Sequence, residues 1–195
     1  MVIIKDTTIV CIDCISYELA LFALRASIKD CKFDKVLFLS DIESIPDKDI
    51  QLISIPKIKS KEEYSEFVIK ELYKYLDTKY VLIIQFDGYI INPDAWTDDF
   101  FKYDYVGARW VQSYFMVGNG GFSLRSKKLL KFCADNFIAF HPEDCVICCE
   151  NKELLEKNGF KFATMEDAYK FSIEDEPYTG QFGWHSNTNP CPKII

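Results

Sequence analysis

Apolar positions in the first half of the chain repeat with two different periods. Short runs rich in β-branched residues predict strands, whereas stretches with apolar residues every three or four positions predict helices. The predicted strands cover residues 7–14, 34–41, 49–56 and 80–86, and the predicted helices cover residues 16–31 and 60–77. Strands that alternate with helices are typical of parallel sheets with right-handed crossovers. This half of the chain therefore predicts a Rossmann-like α/β fold, a central, mostly parallel sheet flanked by helices.

Both predicted helices begin with recognisable capping residues. Ser16 precedes the first helix, where its hydroxyl is suited to accept a hydrogen bond from an amide of the first turn. Ser60 and Glu63 have the spacing of a capping box at the start of the second helix. These signals predict where the two helices begin.

The second half of the chain is less regular. The patterns predict, in order, a short strand with a turn over 104–110, a loop, strand and helix over 113–137 with the helix starting near Ser126, a helix from Pro142 to Gly159, and a strand followed by a short helical piece over 160–175. The tail, residues 178–195, is rich in turn-forming residues and is expected to fold back over the sheet. We find no internal repeat or linker and expect one domain over residues 1–195.

Composition and charge restrict the classes of function. With 195 residues, 49% hydrophobic and 15% aromatic, the chain is large enough for one folded core. The net charge of −7 and the absence of a compact Lys/Arg cluster argue against a nucleic-acid-binding surface. The N-terminal sequence has an early acidic residue and no long apolar run, so we expect no signal peptide, no membrane insertion and a cytoplasmic location.

The eight cysteines raise a separate question of thiol chemistry. Cys11 and Cys14 form a CxxC pair between a strand and a helix, the placement found in thioredoxin-like redox proteins. Cys145, Cys148 and Cys149 could complete a four-thiolate zinc site on spacing alone. Neither segment has the Gly- or Pro-bearing knuckle of such a site, and no aromatic residue precedes the CxxC pair. We expect reduced thiols that pack as small hydrophobic side chains, with a redox protein as the alternative.

A carboxylate stands inside the very hydrophobic segment YVLIIQFDGYIINP, residues 80–93. A buried, unpaired carboxylate is costly, so Asp87 must lie at an exposed strand end or face a positive charge. Ligands of α/β sheets gather at the carboxyl ends of parallel strands, where Asp87 is expected. An Asx-turn with Gly88 would explain the residue structurally. Coordination of Mg²⁺ or Mn²⁺ would explain it functionally, and the residue alone does not decide between the two.

The sequence GNGG, residues 118–121, precedes a strand that begins at Phe122. Adjacent glycines lose much conformational entropy on folding, and a tight turn or bulge would need only one of them. We expect a loop whose backbone approaches a ligand closely, with a polar contact from Asn119. The sequence matches neither the dinucleotide-binding fingerprint nor the P-loop.

Two acidic residues and a histidine complete the candidate chemistry. Glu143 and Asp144 fall in the first turn of the helix predicted at Pro142, where an acid is favoured by the helix dipole and could also serve as a general base. His185, in the segment QFGWH, is one of two histidines and would be a second metal ligand if the tail folds over Asp87. A structural or exposed histidine is the alternative.

Together these segments resemble a GT-A nucleotide-sugar glycosyltransferase over nearly the whole chain. IVCIDCISYELALFALRASI resembles its first strand and helix, and YVLIIQFDGYII resembles the strand that carries the metal-binding DxD motif. GNGGFSLRS resembles the glycine loop beneath the donor sugar, HPEDC the xED motif of inverting members, and FGWH the C-terminal histidine of the metal site. The order QxDG, GARW, GNGGFSLRS, ED and FGxH is similar to that of a group of compact GT-A proteins.

The resemblance implies roles for individual residues. Asp87 and His185 would hold Mn²⁺ or Mg²⁺, and Asp144 would act as the base, with Glu143 in reserve. The implied donor-binding residues are Cys11, Ile12, Asp13, Tyr17, Gln85, Phe86, Asp87, Gly88, Trp110, Asn119, Gly120, Gly121 and Trp184. The implied reaction transfers a sugar from a nucleotide sugar, most often a UDP-sugar, to a hydroxyl acceptor with inversion. At 195 residues the domain is small for this class, so we expect a short acceptor lid or one supplied by a homo-oligomer.

One position departs from the DxD motif. Gln85 stands where the motif has its first Asp, and a neutral amide can bind a ribose but adds no charge for a metal ion. This departure keeps a non-catalytic nucleotide-sugar or glycan-binding module open as an alternative. A nucleotidyltransferase would typically open with a Gly-rich phosphate loop that bears Arg or Lys, and the first strand–helix junction, CIDCISYEL, has none.

Overall fold

The computed structural model describes residues 1–111, 116–186 and 191. Its strands are β1 (Val2–Ile12), β2 (Cys31–Ser40), β3 (Gln51–Ser54), β4 (Tyr80–Ile84), β5 (Gly88–Ile90), β6 (Tyr105–Val106), β7 (Arg109–Trp110), β8 (Met116–Val117), β9 (Phe122–Ser126), β10 (Ser172–Ile173) and β11 (Gly183–His185). Its α-helices are α1 (Tyr17–Ile28), α2 (Lys61–Lys70), α3 (Lys127–Asn136), α4 (Glu143–Cys145), α5 (Lys152–Lys157) and α6 (Met165–Phe171). Short 3₁₀ helices cover Leu72–Tyr75, Pro93–Ala95 and Asp98–Lys102, and a π-helix covers Val146–Glu150.

Six strands form the central sheet in the order β3-β2-β1-β4-β9-β6. The first four pair in parallel, and β9 runs antiparallel to both of its neighbours. The predicted α/β fold with a mostly parallel central sheet and flanking helices is therefore confirmed. Because β1 and β4 are adjacent and parallel, the residues that follow Ile12 and Ile84 meet at the same edge of the sheet.

The central strands β1 and β4 are buried on both faces. One face carries Ile9, Cys11, Leu82 and Ile84, which belong to the same apolar cluster as the buried residues of α1. The other face carries Val10, Ile12, Val81 and Ile83, which belong to a second cluster with Phe67 and Val68 of α2. Burial on both faces explains why these strands read as continuous apolar runs rather than as alternating patterns.

The first strand is longer than predicted, since it extends back to Val2. The polar residues Lys5 and Asp6 interrupt the apolar pattern, and the pairing of β1 with β2 shifts register between Ile4 and Thr8. Asp6 has a positive φ of 55° there, and its amide donates a hydrogen bond to the side chain of Asp34 at 2.7 Å. A bulge of this kind hides the continuation of a strand from a period-two pattern.

The two predicted helix starts differ in how they are capped. The Ser60 hydroxyl accepts a hydrogen bond from the Glu63 amide at 3.2 Å, as predicted. The Ser16 hydroxyl makes no capping bond; instead Asp13 Oδ1 accepts from the amides of Ile15 and Ser16 at 2.7 and 2.5 Å. The start of α1 is therefore held by a residue of the strand–helix junction itself.

Two predicted helices are interrupted. The helix expected over 60–77 ends at Lys70 and continues as a 3₁₀ helix. The single helix expected from Pro142 to Gly159 is divided into α4, the π-helix and α5. The break follows from Asn151, whose amide and side chain both donate to the Val146 carbonyl, at 3.1 and 2.9 Å, and so close a wide turn.

The tail folds back over the end of β4, as predicted for residues 178–186. There β11 pairs antiparallel with β5, which follows β4 directly, and parallel with β10. The remaining parts of the predicted tail, 187–190 and 192–195, lie outside the described residues, as do 112–115 of the predicted loop. The strand expected after residue 160 is reduced to an isolated bridge at Phe162. Within the described ranges, no helix is long and apolar enough to span a membrane.

Candidate functional site

A cavity of about 520 Å³ opens at the carboxyl ends of β1 and β4. Eleven of the residues predicted for the site line it, namely Ile12, Asp13, Gln85, Phe86, Asp87, Asn119, Gly120, Gly121, Glu143, Asp144 and His185. Five segments that are far apart in sequence thus converge on one volume. The prediction that these motifs share a site is supported by their position, while their roles stay predictions.

Five predicted donor-binding residues do not line this cavity: Cys11, Tyr17, Gly88, Trp110 and Trp184. Tyr17 donates a hydrogen bond to Asp41 at 3.0 Å. Trp184 is 5% exposed and stacks on Tyr89 with ring centroids 5.7 Å apart, so its faces are covered. In β11 consecutive side chains point to opposite sides, and Trp184 is turned away from the cavity that His185 enters.

Trp110 serves the glycine loop rather than the cavity. A Cβ placed on Gly118 would lie 2.3 Å from the indole ring of Trp110, so only glycine fits against it. The indole Nε1 donates to Glu174 at 3.0 Å, and Glu174 does line the cavity. Burial raises the pKa of the Glu174 carboxyl. Trp110 therefore contacts a residue that lines the cavity but does not line the cavity itself, although the resemblance implies that it should.

Asp87 and His185 face each other at the cavity floor. His185 Nε2 lies 3.3 Å from Asp87 Oδ1, and the two side chains are 10% and 12% exposed. The pairing of β11 with β5 places His185 opposite Gly88, next to Asp87. Within the described residues, neither Asp87 Oδ1 nor either ring nitrogen of His185 has a hydrogen-bond partner. The Asp87 carboxylate and the His185 imidazole therefore lie side by side, and Asp87 Oδ1 and His185 Nε2 make no hydrogen bond among the described residues.

These free atoms fit a hard divalent cation. Two ligands about 2.1 Å from an octahedral ion lie about 3 Å apart, close to the separation of Asp87 Oδ1 and His185 Nε2. No cluster of three or more His, Cys, Asp or Glu side chains in the described ranges could hold a metal ion. A site with two protein ligands suits Mg²⁺ or Mn²⁺, which take further oxygens from phosphates and water. It does not suit a structural Zn²⁺ site, which needs four protein ligands.

The turn after β4 interlocks with the glycine loop. The Gln85 amide donates to the Gly121 carbonyl at 2.9 Å, and the Gly88 amide donates to the Gln85 carbonyl at 3.0 Å. A Cβ on Gly121 would lie 2.1 Å from His185 Nε2. Gly121 is therefore needed for the close approach of the loop to His185, a packing reason that the sequence pattern did not supply.

Asn119 shapes the glycine loop from inside. Its φ is 68°, a conformation that Asn tolerates better than most residues, and it is 1% exposed. Its Oδ1 accepts from the amides of Gly121 and Phe122 at 3.0 and 3.3 Å. Its Nδ2 has no partner among the described residues. The loop is thus a folded turn with one free donor at the cavity.

Glu143 forms an ion pair with a buried arginine, Arg125. Arg125 and Glu143 form a bidentate pair, Nη1–Oε2 at 2.7 Å and Nη2–Oε1 at 2.9 Å, with side chains 0% and 5% exposed. Burial raises the pKa of the Glu143 carboxyl, and the guanidinium opposes that shift. Arg125 was not predicted, although a charged residue in the apolar strand GFSLRS signals a buried partner. A Cβ on Gly120 would lie 2.1 Å from Glu143 Oε1, so the pair also explains Gly120.

Asp144 differs from its neighbour because it is half-buried and lines the cavity. Its Oδ2 accepts from the Gly120 amide at 3.0 Å and its Oδ1 from the Cys145 amide at 2.8 Å. These bonds fix the carboxylate without neutralising it. Of the two acids, Glu143 is paired with a cation, and Asp144 forms no ion pair with the described residues.

Replacing Arg125 with Met is expected to destabilise the protein by about 3–5 kcal/mol, because Glu143 would be left as a buried, unpaired charge. Urea denaturation measures the change. Arg25→Met is the matched control: Arg25 pairs with Asp47 but is 42% exposed, and its loss should cost about 1 kcal/mol or less. Equal losses in the two variants would contradict a structural role for the buried pair.

The cysteines show no sign of an activated thiol. All eight are free. Burial raises the pKa of Cys11 and of Cys14, the opposite of the acidic thiol that a CxxC redox site needs. Cys148 is fully buried, and burial raises the pKa of Cys145 to about 12. The thiols behave as the small hydrophobic side chains that were expected.

Several residues that line the cavity were not among the predicted site residues: Lys59, Ser60, Lys61, Tyr64, Ser65, His141 and Glu174. Most of them belong to the start of α2 and to the loop before α4. His141 Nδ1 and the Ser65 hydroxyl are hydrogen-bonded at 2.9 Å. Their local sequence does not mark them as site residues, because most of them reach the cavity only through the packing of α2 against the loop before α4.

Comparison with known proteins gives a family and a fold. A family model described as a protein of unknown function, DUF5672, matches residues 49–191. No curated protein sequence matches the chain. Among solved structures, an active-site mutant of LgtC has a TM-score of 0.53 at 12% identity, covering 93% of this chain and 88% of that chain.

Two longer glycosyltransferases have a similar fold. The apo form of GlyE from Streptococcus pneumoniae TIGR4 has a TM-score of 0.50 at 14% identity, covering 91% of this chain and 53% of that chain. The mannosyltransferase PcManGT from Pyrobaculum calidifontis, solved with GDP-Man and Mn²⁺, has a TM-score of 0.55 at 10% identity, covering 96% of this chain and 58% of that chain. This chain therefore spans little more than half of either protein, and at these identities the likeness is one of fold.

Proposed function

We propose that this chain, which belongs to the DUF5672 family, is a metal-dependent glycosyltransferase that moves a sugar from a nucleotide sugar to a hydroxyl acceptor. The observation that carries the proposal is the free pair Asp87 Oδ1 and His185 Nε2, 3.3 Å apart at the strand ends. The fold shared with known glycosyltransferases supports it, because that likeness extends over more than nine-tenths of this chain.

Asp87 and His185 are assigned to the metal ion. A Mn²⁺ or Mg²⁺ ion held there would neutralise the negative charge that develops on the departing diphosphate. Gln85 contributes no charge, so Asp87 supplies the only carboxylate that the DxD-like segment brings to the cavity. The affinity for metal is therefore expected to depend strongly on the donor's phosphate oxygens.

Asp144 is assigned the role of base. Its carboxylate takes the proton of the acceptor hydroxyl while the acceptor oxygen bonds to the anomeric carbon. The bond from that carbon to the diphosphate oxygen breaks, and the nucleoside diphosphate leaves. Attack opposite the leaving group gives inversion. The carboxylate of Glu143 is unsuited to this role because Arg125 holds both of its oxygens.

The nucleotide is assigned to the end of the cavity between β1 and α1. Ile12 and Asp13 line this end, and Gln85 lines the same cavity two residues before Asp87, where its amide can meet a ribose hydroxyl. We favour uridine, since UDP-sugars are the most frequent donors of GT-A enzymes, the group that the sequence motifs resemble.

Thermal unfolding with nucleotides tests the proposal. We expect one of UDP, GDP, CDP and TDP to stabilise the protein in the presence of Mn²⁺ and not in its absence. A ligand at 100 times its Kd adds about 2.7 kcal/mol, which corresponds to roughly 5 to 10 °C for a domain of this size. The absence of a shift with every nucleotide, with and without Mn²⁺, would remove the main support for a transferase.

A non-catalytic nucleotide-sugar-binding module is the second candidate. Gln85 favours it, because a neutral residue at this position leaves the metal pair with a single carboxylate. Such a module would show the same thermal shifts but would not release nucleoside diphosphate from the donor. Chromatographic detection of UDP from a UDP-sugar over many hours separates the two candidates.

A further inference from the structure

One acid that lines the cavity, Glu174, has no role in the assignments above. It follows β10 directly and is half-buried, so a molecule in the cavity can reach it. Its Oε2 accepts a hydrogen bond from the Trp110 indole at 3.0 Å, which fixes the carboxylate. The neighbouring cation, Arg109, pairs with Glu176 instead. Glu174 thus brings to the cavity an acid that no cation of the described residues neutralises.

The small sheet of β10, β11 and β5 places Glu174 beside His185. Strand β10 pairs in parallel with β11, and Ile173 lies opposite Trp184. The next residues along the two chains are Glu174 and His185. Because consecutive side chains of a strand point to opposite sides and Trp184 is turned away from the cavity, Glu174 and His185 point toward it. Both residues accordingly line the cavity.

The charges around Glu174 agree with this placement. Burial raises the pKa of the Glu174 carboxyl, the His185 ring and the Trp110 indole oppose that rise, and Asp144 adds to it. Glu174 therefore lies within electrostatic reach of both a proposed metal ligand and the proposed base. A divalent cation beside Glu174 would oppose the effect of burial and hold the carboxylate in its charged form.

The metal pair itself is short of negative charge. Asp87 is its one carboxylate, because the neutral Gln85 stands where a DxD motif has its first Asp. The described residues contain no group of three or more His, Cys, Asp or Glu side chains that could hold an ion directly, so Glu174 would not be a direct ligand. Mg²⁺ and Mn²⁺ sites keep water ligands, and a carboxylate outside the direct ligands can accept hydrogen bonds from them.

We propose that Glu174 supplies the second negative charge of the metal site, in place of the acid that is missing at Gln85, by accepting hydrogen bonds from the water ligands of the ion. The inference rests on the proposed function, since the ion is that of the transferase. It also gives the segment GARW a role, because Trp110 holds the Glu174 carboxylate in position.

Titration with Mn²⁺, followed by electron paramagnetic resonance in the presence of the nucleoside diphosphate that stabilises the protein, tests the inference. Glu174→Gln keeps an acceptor for the Trp110 indole and removes the charge, so we expect the Kd for Mn²⁺ to rise about 10- to 100-fold. Asp175→Asn is the matched control. It removes the same charge from an exposed neighbour that does not line the cavity, and solvent screens that charge, so its Kd should equal that of the wild type.

Moving the charge back to the DxD position provides a rescue. The double variant Gln85→Asp with Glu174→Gln has the same number of acids at the cavity as the wild type. If Glu174 replaces the missing acid, the Kd of the double variant for Mn²⁺ should return close to that of the wild type. A Kd that stays as high as in Glu174→Gln alone would overturn the inference.

The remaining outcomes separate this inference from the proposed function. An unchanged Kd for Mn²⁺ in Glu174→Gln, with binding lost in Asp87→Asn, would overturn the inference and leave the transferase intact. A wild type that binds no Mn²⁺ with any of the four nucleotides would overturn both. Nucleotide affinity without Mn²⁺ and the melting temperature without ligand should not fall in Glu174→Gln. A fall in either would assign Glu174 to nucleotide binding or to the fold and would overturn the inference.

Discussion

Asp144→Asn is expected to lower turnover by about 10²- to 10⁴-fold with little change in donor affinity, because the amide keeps the shape of the carboxylate but cannot take a proton. The Gly120 and Cys145 amides bond to the two oxygens of Asp144, so one of these bonds is lost in the variant. The measurement is kcat for sugar transfer together with the Kd of the donor. The expected signature is a change in kcat alone.

The matched control is Glu150→Gln, an exposed acid on the π-helix that follows Asp144. It removes the same charge from the same segment without touching the cavity, and its kcat should match the wild type. If Asp144→Asn kept wild-type turnover, the base would have to lie elsewhere. If donor affinity fell as much as kcat, Asp144 would be a binding residue.

Asp87→Asn is expected to abolish metal-dependent turnover, a loss on the order of 10³-fold or more, equivalent to about 4 kcal/mol of transition-state stabilisation. The fold should be unaffected, because Asn has nearly the size of Asp and Asp87 Oδ1 makes no hydrogen bond among the described residues; its one polar neighbour there, His185 Nε2 at 3.3 Å, can still pair with the amide. Mn²⁺ binding in the presence of the nucleotide, measured by electron paramagnetic resonance, gives a readout that does not depend on turnover.

Asp99→Asn is the control for this variant, since Asp99 is an exposed acid that does not line the cavity. Its activity, Mn²⁺ binding and melting temperature should equal those of the wild type. Activity retained in Asp87→Asn, with an unchanged dependence on Mn²⁺, would refute the metal assignment. A melting temperature far below that of the wild type would show instead that Asp87 holds the fold.

The alternation of strands and helices in the first half of the chain could be predicted from the sequence, because strands buried on both faces appear as long apolar runs with clear boundaries. The position of Asp87 followed from the same pattern: once β4 is buried and parallel to β1, the next polar residues must emerge at the ligand edge. The antiparallel direction of β9 could not be predicted from the sequence. A strand's direction depends on its connection and partners, and these are set by the packing of residues 100–126 against the sheet.

The residues of the candidate site likewise fall into those that the sequence predicted and those that it did not. Local sequence marked Gln85, Asp87 and the GNGG loop as polar or glycine interruptions beside apolar runs. It marked Glu143 and Asp144 as acids in the first turn of a predicted helix, and His185 as a histidine in the turn-rich tail. It did not identify the partner of Arg125, although a charge in an apolar strand signals one, and it did not mark Tyr64, which lies in an ordinary helix pattern. It also placed Trp184 in the donor site, whereas the pairing of β11 with β5 stacks that ring on Tyr89.

The sequence by itself determined the α/β class, the edge of the sheet at which most of the predicted site residues lie, and the residue types available there. These follow from period and polarity, which are local properties of the chain. Only the tertiary structure decided that Glu143 pairs with Arg125 while Asp144 lines the cavity, and that His185 Nε2 lies 3.3 Å from Asp87 Oδ1. These pairings depend on which side chains share a buried volume. The segments at β4, β9, β11 and α4 come together there only after the strands have paired and the helices have packed on the sheet.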